Sequence, residues 1–367
     1  MNIRMKKLIG AISTLVLIVG ILAVMTPTAL APPKHDETTI AAYIDTGSND
    51  TIPSYFGDLP EEVAPEPPLP LPPLYGRVII LDAGHSERHS PAYADYVEHV
   101  VMLQFALMLK PLLEAQGATV HLTRSTAEDV PLPVRVAMIN MWALEALRAA
   151  RILDLPEDGS LECNAGECDC EVCTTINDVE EIDRLRGIMQ NIMDHSSTYA
   201  GIYMNSPYRP GRRIHPDLKR IFELQDNPEI GNRFLVISLH SNATGRPINT
   251  SINGASAYYI SGAHRNTSNY YAGYTYSDQS YHFGDTLLNL ISEVGFRNRG
   301  MHVGNFFMIR EHNVPGVLVE NGFHTNTRDR TNLQDSVFLE SLAESYLDAI
   351  TIYFEELPLP RRALIAQ

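Results

Sequence analysis

Three short apolar segments of this chain are each followed directly by a side chain that can bind a metal ion or transfer a proton. These side chains are His85, His240 and Glu320, and a fourth, Glu98, stands at the start of a helical pattern beyond His85. Two histidines and one carboxylate are the usual protein ligands of a catalytic zinc ion, which keeps a fourth position open for water. These residues therefore predict a Zn2+ site with a further carboxylate beside it.

The apolar segments have the composition of buried strands, because they are short and rich in β-branched residues. The predicted strands are 77–82, 118–124, 234–239 and 316–319. Helical patterns at 98–116 and 338–354 alternate with them. This alternation predicts an α/β fold, with a twisted, mostly parallel or mixed sheet flanked by helices. The carboxyl ends of parallel strands meet at one crevice, so residues far apart in the sequence can lie together there.

Two other histidines, His89 and His99, compete for a ligand role only because they lie near His85 and Glu98 in the sequence. Neither follows an apolar strand segment. We therefore expect them to be solvated or to support the ligands, and not to bind the metal.

The composition excludes several classes of protein. The 367 residues are 44% hydrophobic and 20% charged, which is enough apolar material for one large or two modest cores and excludes a disordered or collagen-like chain. The 28 lysines and arginines against 44 acidic residues give a net charge of −16. A field of that sign repels phosphate backbones, so no nucleic-acid partner is expected.

The N-terminus has the pattern of an export signal, since basic residues precede an uncharged apolar run at 8–25. A small-residue motif before Pro32 favours cleavage. The proline itself would hinder cleavage, and the run approaches the roughly 20 residues of a membrane-spanning helix. Residues 1–31 are therefore predicted to be a signal peptide or an N-terminal membrane anchor. Either would place the rest of the chain outside the cytoplasm.

The rest of the chain divides by composition. Residues 32–74 are polar and proline-rich, which favours extended polyproline II and predicts a linker. A folded domain is expected at 75–356, followed by a short tail at 357–367. Weaker patterns at 141–232 predict a long insertion within this domain.

The insertion contains helical stretches at 142–153 and 179–194 and all four cysteines of the chain. The cysteines are Cys163, Cys168, Cys170 and Cys173. Because the chain is predicted to be exported, two disulfides are expected. A structural metal site with thiolate ligands is the alternative. Three disulfide pairings are possible, and the spacing does not choose among them.

Four segments, taken together and in this order, resemble the zinc-dependent N-acetylmuramoyl-L-alanine amidases of the amidase_3 type. These segments are 80–85, 98–103, 237–243 and 315–326. Further positions that look like those of the family are Thr123, Arg124, Arg135, Asn140, Arg299 and Gly300. The resemblance covers 77–354 apart from the insertion, and the motifs are specific as a set.

The resemblance implies hydrolysis of the amide between the lactyl group of N-acetylmuramic acid and L-alanine in peptidoglycan, outside the cell membrane and facing the cell wall. The zinc ligands of the family match His85, Glu98 and His240, and its catalytic glutamate matches Glu320. Zinc can lower the pKa of its water to roughly 7, which makes it a nucleophile toward an unactivated amide. Glu320 would take the proton from that water and return it to the departing nitrogen.

Other features leave more than one interpretation open. Asn242 is expected either to orient the substrate or to form a turn. The loop 86–90 lacks the glycines usual in the family, and the insertion at 141–232 replaces a short connection. The insertion could cover, inhibit or extend the substrate groove, and a regulatory protein could act through it. Alternative functions are a zinc peptidase of the stem peptides and a non-catalytic peptidoglycan-binding protein.

Overall fold

A six-stranded mixed sheet lies at the centre of the fold. The computed structural model describes residues 70–154, 171–195 and 214–359, all within the compact unit Pro68–Gln367. The sheet strands are β1 (Val78–Ala83), β4 (Thr119–Leu122), β5 (Phe234–Asn242), β6 (Ala255–Tyr259), β7 (Asn298–Val303) and β8 (Gly316–Phe323). Two short strands, β2 (Ala92–Tyr93) and β3 (Tyr96–Val97), form a separate antiparallel hairpin.

The strand order is β4-β1-β5-β8-β6-β7. The first four of these strands are parallel, β6 is antiparallel to β8, and β7 is parallel to β6. The parallel strands end at one edge of the sheet. The predicted α/β fold with a mostly parallel or mixed sheet is confirmed.

Helices cover both faces of the sheet. They are α1 (Glu98–Ala115), α2 (Leu132–Leu153), α3 (Glu171–Asp194), α4 (Pro216–Gln225), α5 (Pro228–Gly231), α6 (Arg265–Ser268), α7 (Ser277–Glu293), α8 (Phe307–Arg310), α9 (Thr327–Gln334) and α10 (Ser336–Glu355). One turn of 3-10 helix, Glu87–His89, follows β1.

Residues of the central strands alternate between the two faces of the sheet. Ile79, Leu81 and Ile237 are buried in one hydrophobic core, together with side chains of α1, α7 and α10. Ile80 and Val236 are buried in a second core on the other face, together with side chains of α2, α3 and α4. The strands are apolar along their whole length because both faces are covered.

The four predicted strands are confirmed as β1, β4, β5 and β8, and the helices predicted at 98–116 and 338–354 as α1 and α10. β5 and β8 continue beyond the apolar residues into the polar positions that follow. The elements that were not predicted from the sequence include β6, β7 and α7. β7 is one of the two edge strands of the sheet and contains no fully buried residue, so it has no buried apolar run by which to recognise it.

Parts of the predicted insertion pack into the second core. The helical stretch predicted at 142–153 is the end of α2, which begins at Leu132 and has proline at its first turn. Leu185 and Met189 of α3 and Phe222 of α4 are fully buried. The described parts of the insertion therefore share a hydrophobic core with the sheet.

Several predicted features lie outside the described residues. These are the signal or anchor at 1–31, most of the linker at 32–74, the end of the tail at 360–367, and the side chains of Cys163, Cys168, Cys170 and Cys173. Among the residues that the structure describes, no helix is both long and apolar enough to cross a membrane. The apolar run at 8–25 is not among them.

Candidate metal centre

The residues predicted to bind zinc lie at the carboxyl edge of the parallel strands. His85 follows β1, His240 is near the end of β5, and Glu98 is the first residue of α1. His240 is paired in register with Glu320 of β8, so their side chains point to the same face of the sheet. The fold thus brings together four residues that are far apart in the sequence.

Three of these residues surround one point. Glu98 Oε1 lies 3.2 Å from His85 Nε2 and 3.1 Å from His240 Nδ1. The three candidate ligand atoms all lie within 4.8 Å of one another. Zinc binds imidazole nitrogen and carboxylate oxygen at about 2.0–2.2 Å, so this donor set fits one zinc ion.

The site opens toward solvent on the histidine side. The Glu98 side chain is 1% exposed, that of His240 15% and that of His85 28%. The carboxylate therefore forms the floor of the site, and a small molecule would approach it past the imidazoles.

Glu98 is held as a carboxylate by its neighbours. The backbone N–H of Ser241 donates a hydrogen bond of 2.9 Å to Glu98 Oε1. Although burial opposes ionisation, the hydrogen bonds and charges of His240 and His85 lower the pKa of Glu98 to about 2. In turn, burial alone would lower the pKa of His240, but Glu98 raises it. The donors around this carboxylate thus favour its ionised form, which is the form that binds a cation.

The backbone conformation of His85 and a contact of its ring orient the imidazole. His85 has a φ of 59°, in the left-handed region, and its Nδ1 lies 3.0 Å from the carbonyl oxygen of His89. A proton on Nδ1 donates to that carbonyl, so Nε2 is the ring nitrogen that faces Glu98 and can bind a metal ion once it has lost its own proton. His89 is exposed, and through its carbonyl it supports the ring of His85.

Gly84 allows the two histidines to approach each other. A Cβ at this position would lie 2.4 Å from Cε1 of His240. The imidazole rings of His85 and His240 are 4.8 Å apart and nearly perpendicular. No larger residue fits at position 84 without displacing His240.

Two buried arginines hold the segment that carries His85. Arg124 donates to the carbonyl oxygens of Ala83 at 2.7 Å and Gly84 at 3.0 Å. Arg135 donates to the same Ala83 carbonyl at 2.9 Å and also to the carbonyl of His85. Burial lowers the pKa of Arg124 to about 10, which leaves it charged at neutral pH. The sequence analysis singled out both arginines by resemblance without giving them this role.

Asp82 is a further buried residue of the site whose role the sequence analysis missed. It accepts hydrogen bonds from Arg135 at 3.0 Å and from the Ser238 hydroxyl at 2.6 Å, and also one from Thr123. Burial opposes ionisation, but Arg135 and the two hydroxyls outweigh it and lower the pKa of Asp82. The signal in the sequence that could have identified Asp82 is its charge near the end of the apolar strand β1.

Glu320 differs from Glu98 in that one oxygen of its carboxyl group has no hydrogen-bond partner among the described residues. That oxygen, Oε2, is buried. Burial raises the pKa of Glu320 to about 7, despite the nearby His240. A carboxyl with such a pKa exchanges its proton readily near neutral pH, as a general acid or base must.

Asn242 and His99, for which the sequence left alternative roles open, both make contacts within the protein. Asn242 ends β5, and its Oδ1 accepts a 2.8 Å hydrogen bond from the N–H of Ala243, as in a local turn. His99 is buried, which excludes the first of its two predicted alternatives, a solvated side chain, and leaves the second, support of the ligands. It does not join the three-residue cluster, and its carbonyl accepts a 2.8 Å hydrogen bond from Arg124.

His324 supports the end of β5 and was also missed from the sequence. Its ring stacks on Tyr96 with centroids 5.0 Å apart, and its Nδ1 lies 3.0 Å from Ser241 Oγ. The Tyr96 hydroxyl donates to the same Ser241 oxygen at 2.9 Å. Ser241 is therefore held on its side chain while its N–H binds Glu98.

A cavity of about 490 Å³ opens beside the histidines. Both His85 and His240 line it, as does His89. The other lining residues are Asp82, Ser86, Asp129, Val130, Pro131, Leu132, Pro133, Arg135, Phe306, Phe307, Met308 and Leu318. A substrate seated here would contact the candidate metal centre.

The fold and this site define an α/β domain with a candidate two-histidine, one-carboxylate metal centre. The chain belongs to the N-acetylmuramoyl-L-alanine amidase family Amidase_3, whose family model matches residues 79–147 and 215–352. The interval between the two matched ranges falls within the predicted insertion.

Individual relatives match shorter parts of the chain. N-acetylmuramoyl-L-alanine amidase CwlM of Bacillus licheniformis is 37% identical over 65 residues, which is 18% of this chain and 26% of that protein. The probable cell wall amidase LytH of Staphylococcus aureus is 34% identical over 82 residues, 22% of this chain and 28% of that protein. The chain thus spans only about a quarter of the length of these curated relatives.

Among solved structures, the CwlD amidase from Clostridioides difficile, in complex with the GerS lipoprotein, is 17% identical to this chain. The alignment covers 76% of this chain and 98% of that one, with a TM-score of 0.42.

Proposed function

We propose that this protein is a zinc-dependent amidase that hydrolyses the bond between N-acetylmuramic acid and L-alanine in peptidoglycan. The observation that carries the proposal is the convergence of His85, Glu98 and His240 beside Glu320, whose buried Oε2 has no hydrogen-bond partner among the described residues. Membership of the amidase family supports the choice of substrate.

In this proposal His85 Nε2, His240 Nδ1 and Glu98 Oε1 hold the zinc ion. When bound, zinc would lower the pKa of a water molecule to roughly 7 and polarise the carbonyl of the scissile amide. Glu98 is suited to be a ligand because its low pKa keeps it ionised. The hydrogen bond of His85 to the His89 carbonyl sets the direction of its ring.

Glu320 is the proton-transfer group of the proposed mechanism. Its buried Oε2 has no competing partner among the described residues, so it can accept the proton of the attacking water. It then returns that proton to the departing nitrogen of L-alanine, which leaves as an amine. A pKa raised to about 7 makes both transfers feasible near neutral pH.

We propose that the enzyme acts outside the cytoplasm, on the cell wall. The basic and apolar pattern of residues 1–31 supports export, with cleavage or with anchoring through 8–25. Export would favour disulfides among the four cysteines of the insertion. A regulatory protein acting through 141–232 remains part of this proposal.

The test is incubation of the zinc-loaded protein with purified peptidoglycan, comparing the wild type with Glu320→Gln. New amino termini are labelled and identified by mass spectrometry. L-alanine termini that the wild type releases, and the variant does not, support the amidase. New termini elsewhere in the stem would make it a peptidase. Binding without cleavage by the zinc-loaded wild type would make it a peptidoglycan-binding protein.

A further inference from the structure

Three buried amide side chains connect the insertion to one wall of the cavity, and the proposed mechanism uses none of them. They are Asn140 of α2, Gln225 at the end of α4, and Asn313, which lies between α8 and β8. Asn140 and Gln225 are fully buried, and Asn313 is 2% exposed. Buried amides are hydrogen-bonded, so these side chains fix the position of the groups that they contact.

Gln225 uses both ends of its amide group for this connection. Its Nε2 donates a 2.8 Å hydrogen bond to Asn140 Oδ1, and its Oε1 accepts one of 2.7 Å from the backbone N–H of Asn313. Asn140 Nδ2 in turn donates to the carbonyl oxygen of Glu311 at 3.0 Å. The backbone of 311–313 is therefore held at two points, the Glu311 carbonyl and the Asn313 N–H.

Helix α4 makes a second connection to the same part of the chain. Asn313 Nδ2 donates to the carbonyl oxygen of Phe222 at 3.0 Å, and the ring of Tyr274 packs against that of Phe222 with centroids 5.8 Å apart. The Tyr274 hydroxyl donates a 2.8 Å hydrogen bond to the carbonyl oxygen of Arg310, the last residue of α8. Contacts from α4 and its aromatic neighbour thus reach the end of α8 and the residues after it.

The segment 311–313 directly follows the helix that forms part of the cavity wall. Phe307 and Met308 of α8 line the cavity beside the two candidate ligand histidines. Neither the candidate metal ligands nor Glu320 lie on α8 or in 311–313. A shift of this segment would therefore move a wall that a substrate contacts and leave the metal centre in place.

We propose that Gln225 is a positioning residue through which the insertion sets the cavity wall formed by α8, and with it the affinity for the substrate. The inference rests on the proposed function. Without the Gln225 amide, the buried N–H of Asn313 loses its acceptor, which is unfavourable, and the segment relieves this cost by moving toward water. The insertion thus contributes to the shape of the site, and a displacement of α4 would change substrate affinity by the same route.

The test compares three variants in the cleavage of a soluble muramyl peptide by the zinc-loaded enzyme. Gln225→Leu keeps a similar side-chain volume and removes both hydrogen bonds, so KM should rise about tenfold, with kcat and zinc affinity unchanged. Gln225→Glu should keep the low KM, because a buried, protonated acid still offers one donor and one acceptor. Leu185→Ala, at a fully buried position of α3, removes packing from the insertion without removing a hydrogen bond and should leave KM unchanged.

A wild-type KM in Gln225→Leu, or an equal rise of KM in Leu185→Ala, would overturn the inference. If Gln225→Leu does not fold, Asn313→Ala takes its place. This second variant breaks the hydrogen bond to the Phe222 carbonyl and carries the same expectation for KM.

Amide hydrogen exchange tests the connection independently of activity. If the wild type releases no L-alanine termini, the proposed function fails, and exchange then tests the inference by itself. The exchange rate of 307–313, taken relative to that of β5 in the same protein, should be about tenfold faster in Gln225→Leu than in the wild type. It should not change in Leu185→Ala. Equal relative rates in Gln225→Leu and the wild type would show that Gln225 does not hold this segment.

Discussion

Glu98 and Glu320 are carboxylates of one site whose pKa values move in opposite directions. Glu98 accepts hydrogen bonds from the site histidines and from the backbone of Ser241, and its pKa falls to about 2. Glu320 has no such partner in the described part of the chain, and burial raises its pKa to about 7. Two carboxyl groups separated in this way suit two roles, a permanent anion and a proton carrier.

The raised pKa of Glu320 predicts the pH dependence of hydrolysis. Only the ionised carboxylate accepts a proton, so kcat/KM should fall about tenfold per pH unit below the pKa of Glu320. The positive charge of bound zinc lowers that pKa, so the midpoint should lie at or below about 7.

The measurement is a pH–rate profile at saturating zinc, with bound zinc determined at each pH. Zinc content separates the titration of Glu320 from loss of metal through protonation of the histidines. A profile that stays flat over the whole pH range in which zinc is retained would contradict this role of Glu320.

Gly84→Ala tests the close packing of the two imidazoles. The added Cβ would lie 2.4 Å from the His240 ring, so that ring must move. Zinc affinity is expected to fall about 10–100-fold, the range found when groups that orient a ligand are changed. Gly245→Ala is the matched control, because nothing lies within 4 Å of its added Cβ. Competition with a chromogenic chelator measures the affinity, and equal values for both variants would refute the packing argument.

At the scale of elements, α2 holds the loop after β1 in place. Arg135 of α2 is 2% exposed and pairs with the fully buried Asp82 of β1. The same guanidinium binds the carbonyl of Ala83, just before the loop that carries His85. Helix packing and ligand geometry are thus linked through one side chain.

Arg135→Leu is expected to destabilise the protein by about 3–5 kcal/mol, because it leaves the Asp82 carboxylate buried without its ion pair. The control is Arg148→Ala, which breaks the pair between Arg148 and Asp183 on the helix surface. That pair is partly exposed on both sides, so its loss should cost far less. Urea unfolding followed by circular dichroism measures both. Similar losses of unfolding free energy for the two variants would contradict the argument that burial makes the ion pair of Arg135 the more important one.

At the scale of the whole molecule, the sheet separates two cores and the candidate metal centre lies at its carboxyl edge. Each of three elements positions one candidate ligand. His240 lies in β5 and Glu98 in α1, and His85 lies in the loop that follows β1. Helices α3 and α4 of the insertion complete the second core. Changes in the insertion are therefore expected to affect the stability of the whole domain.

In the proposed function zinc binds the folded site and not the separated ligands, so its removal should lower the melting temperature. At a free zinc concentration of 100 times Kd, the expected stabilisation is about 2.7 kcal/mol. Differential scanning calorimetry with chelator, and then with zinc restored, measures the shift. His240→Ala should show little or no zinc-dependent shift, and a wild type that behaves in the same way would contradict the metal centre.

The strands at the centre of the fold and the residues at their ends can be predicted from the amino-acid pattern alone. Strands buried on both faces must be short and apolar, so β1, β5 and β8 are visible without any tertiary information. The residues that follow them are polar because they leave the core at the edge where ligands bind. His85, His240 and Glu320 could therefore be named together from position alone.

The chemical differences among these residues, in contrast, depend on contacts that form only in the folded protein. Asp82 meets Arg135, and Tyr258 meets Phe306, across long stretches of chain whose pairing no local pattern encodes. The opposite pKa shifts of Glu98 and Glu320 depend on which hydrogen-bond donors reach each buried carboxyl. Burial and hydrogen bonding arise from the packing of distant segments, so the chemistry of a side chain is completed only when the chain is folded.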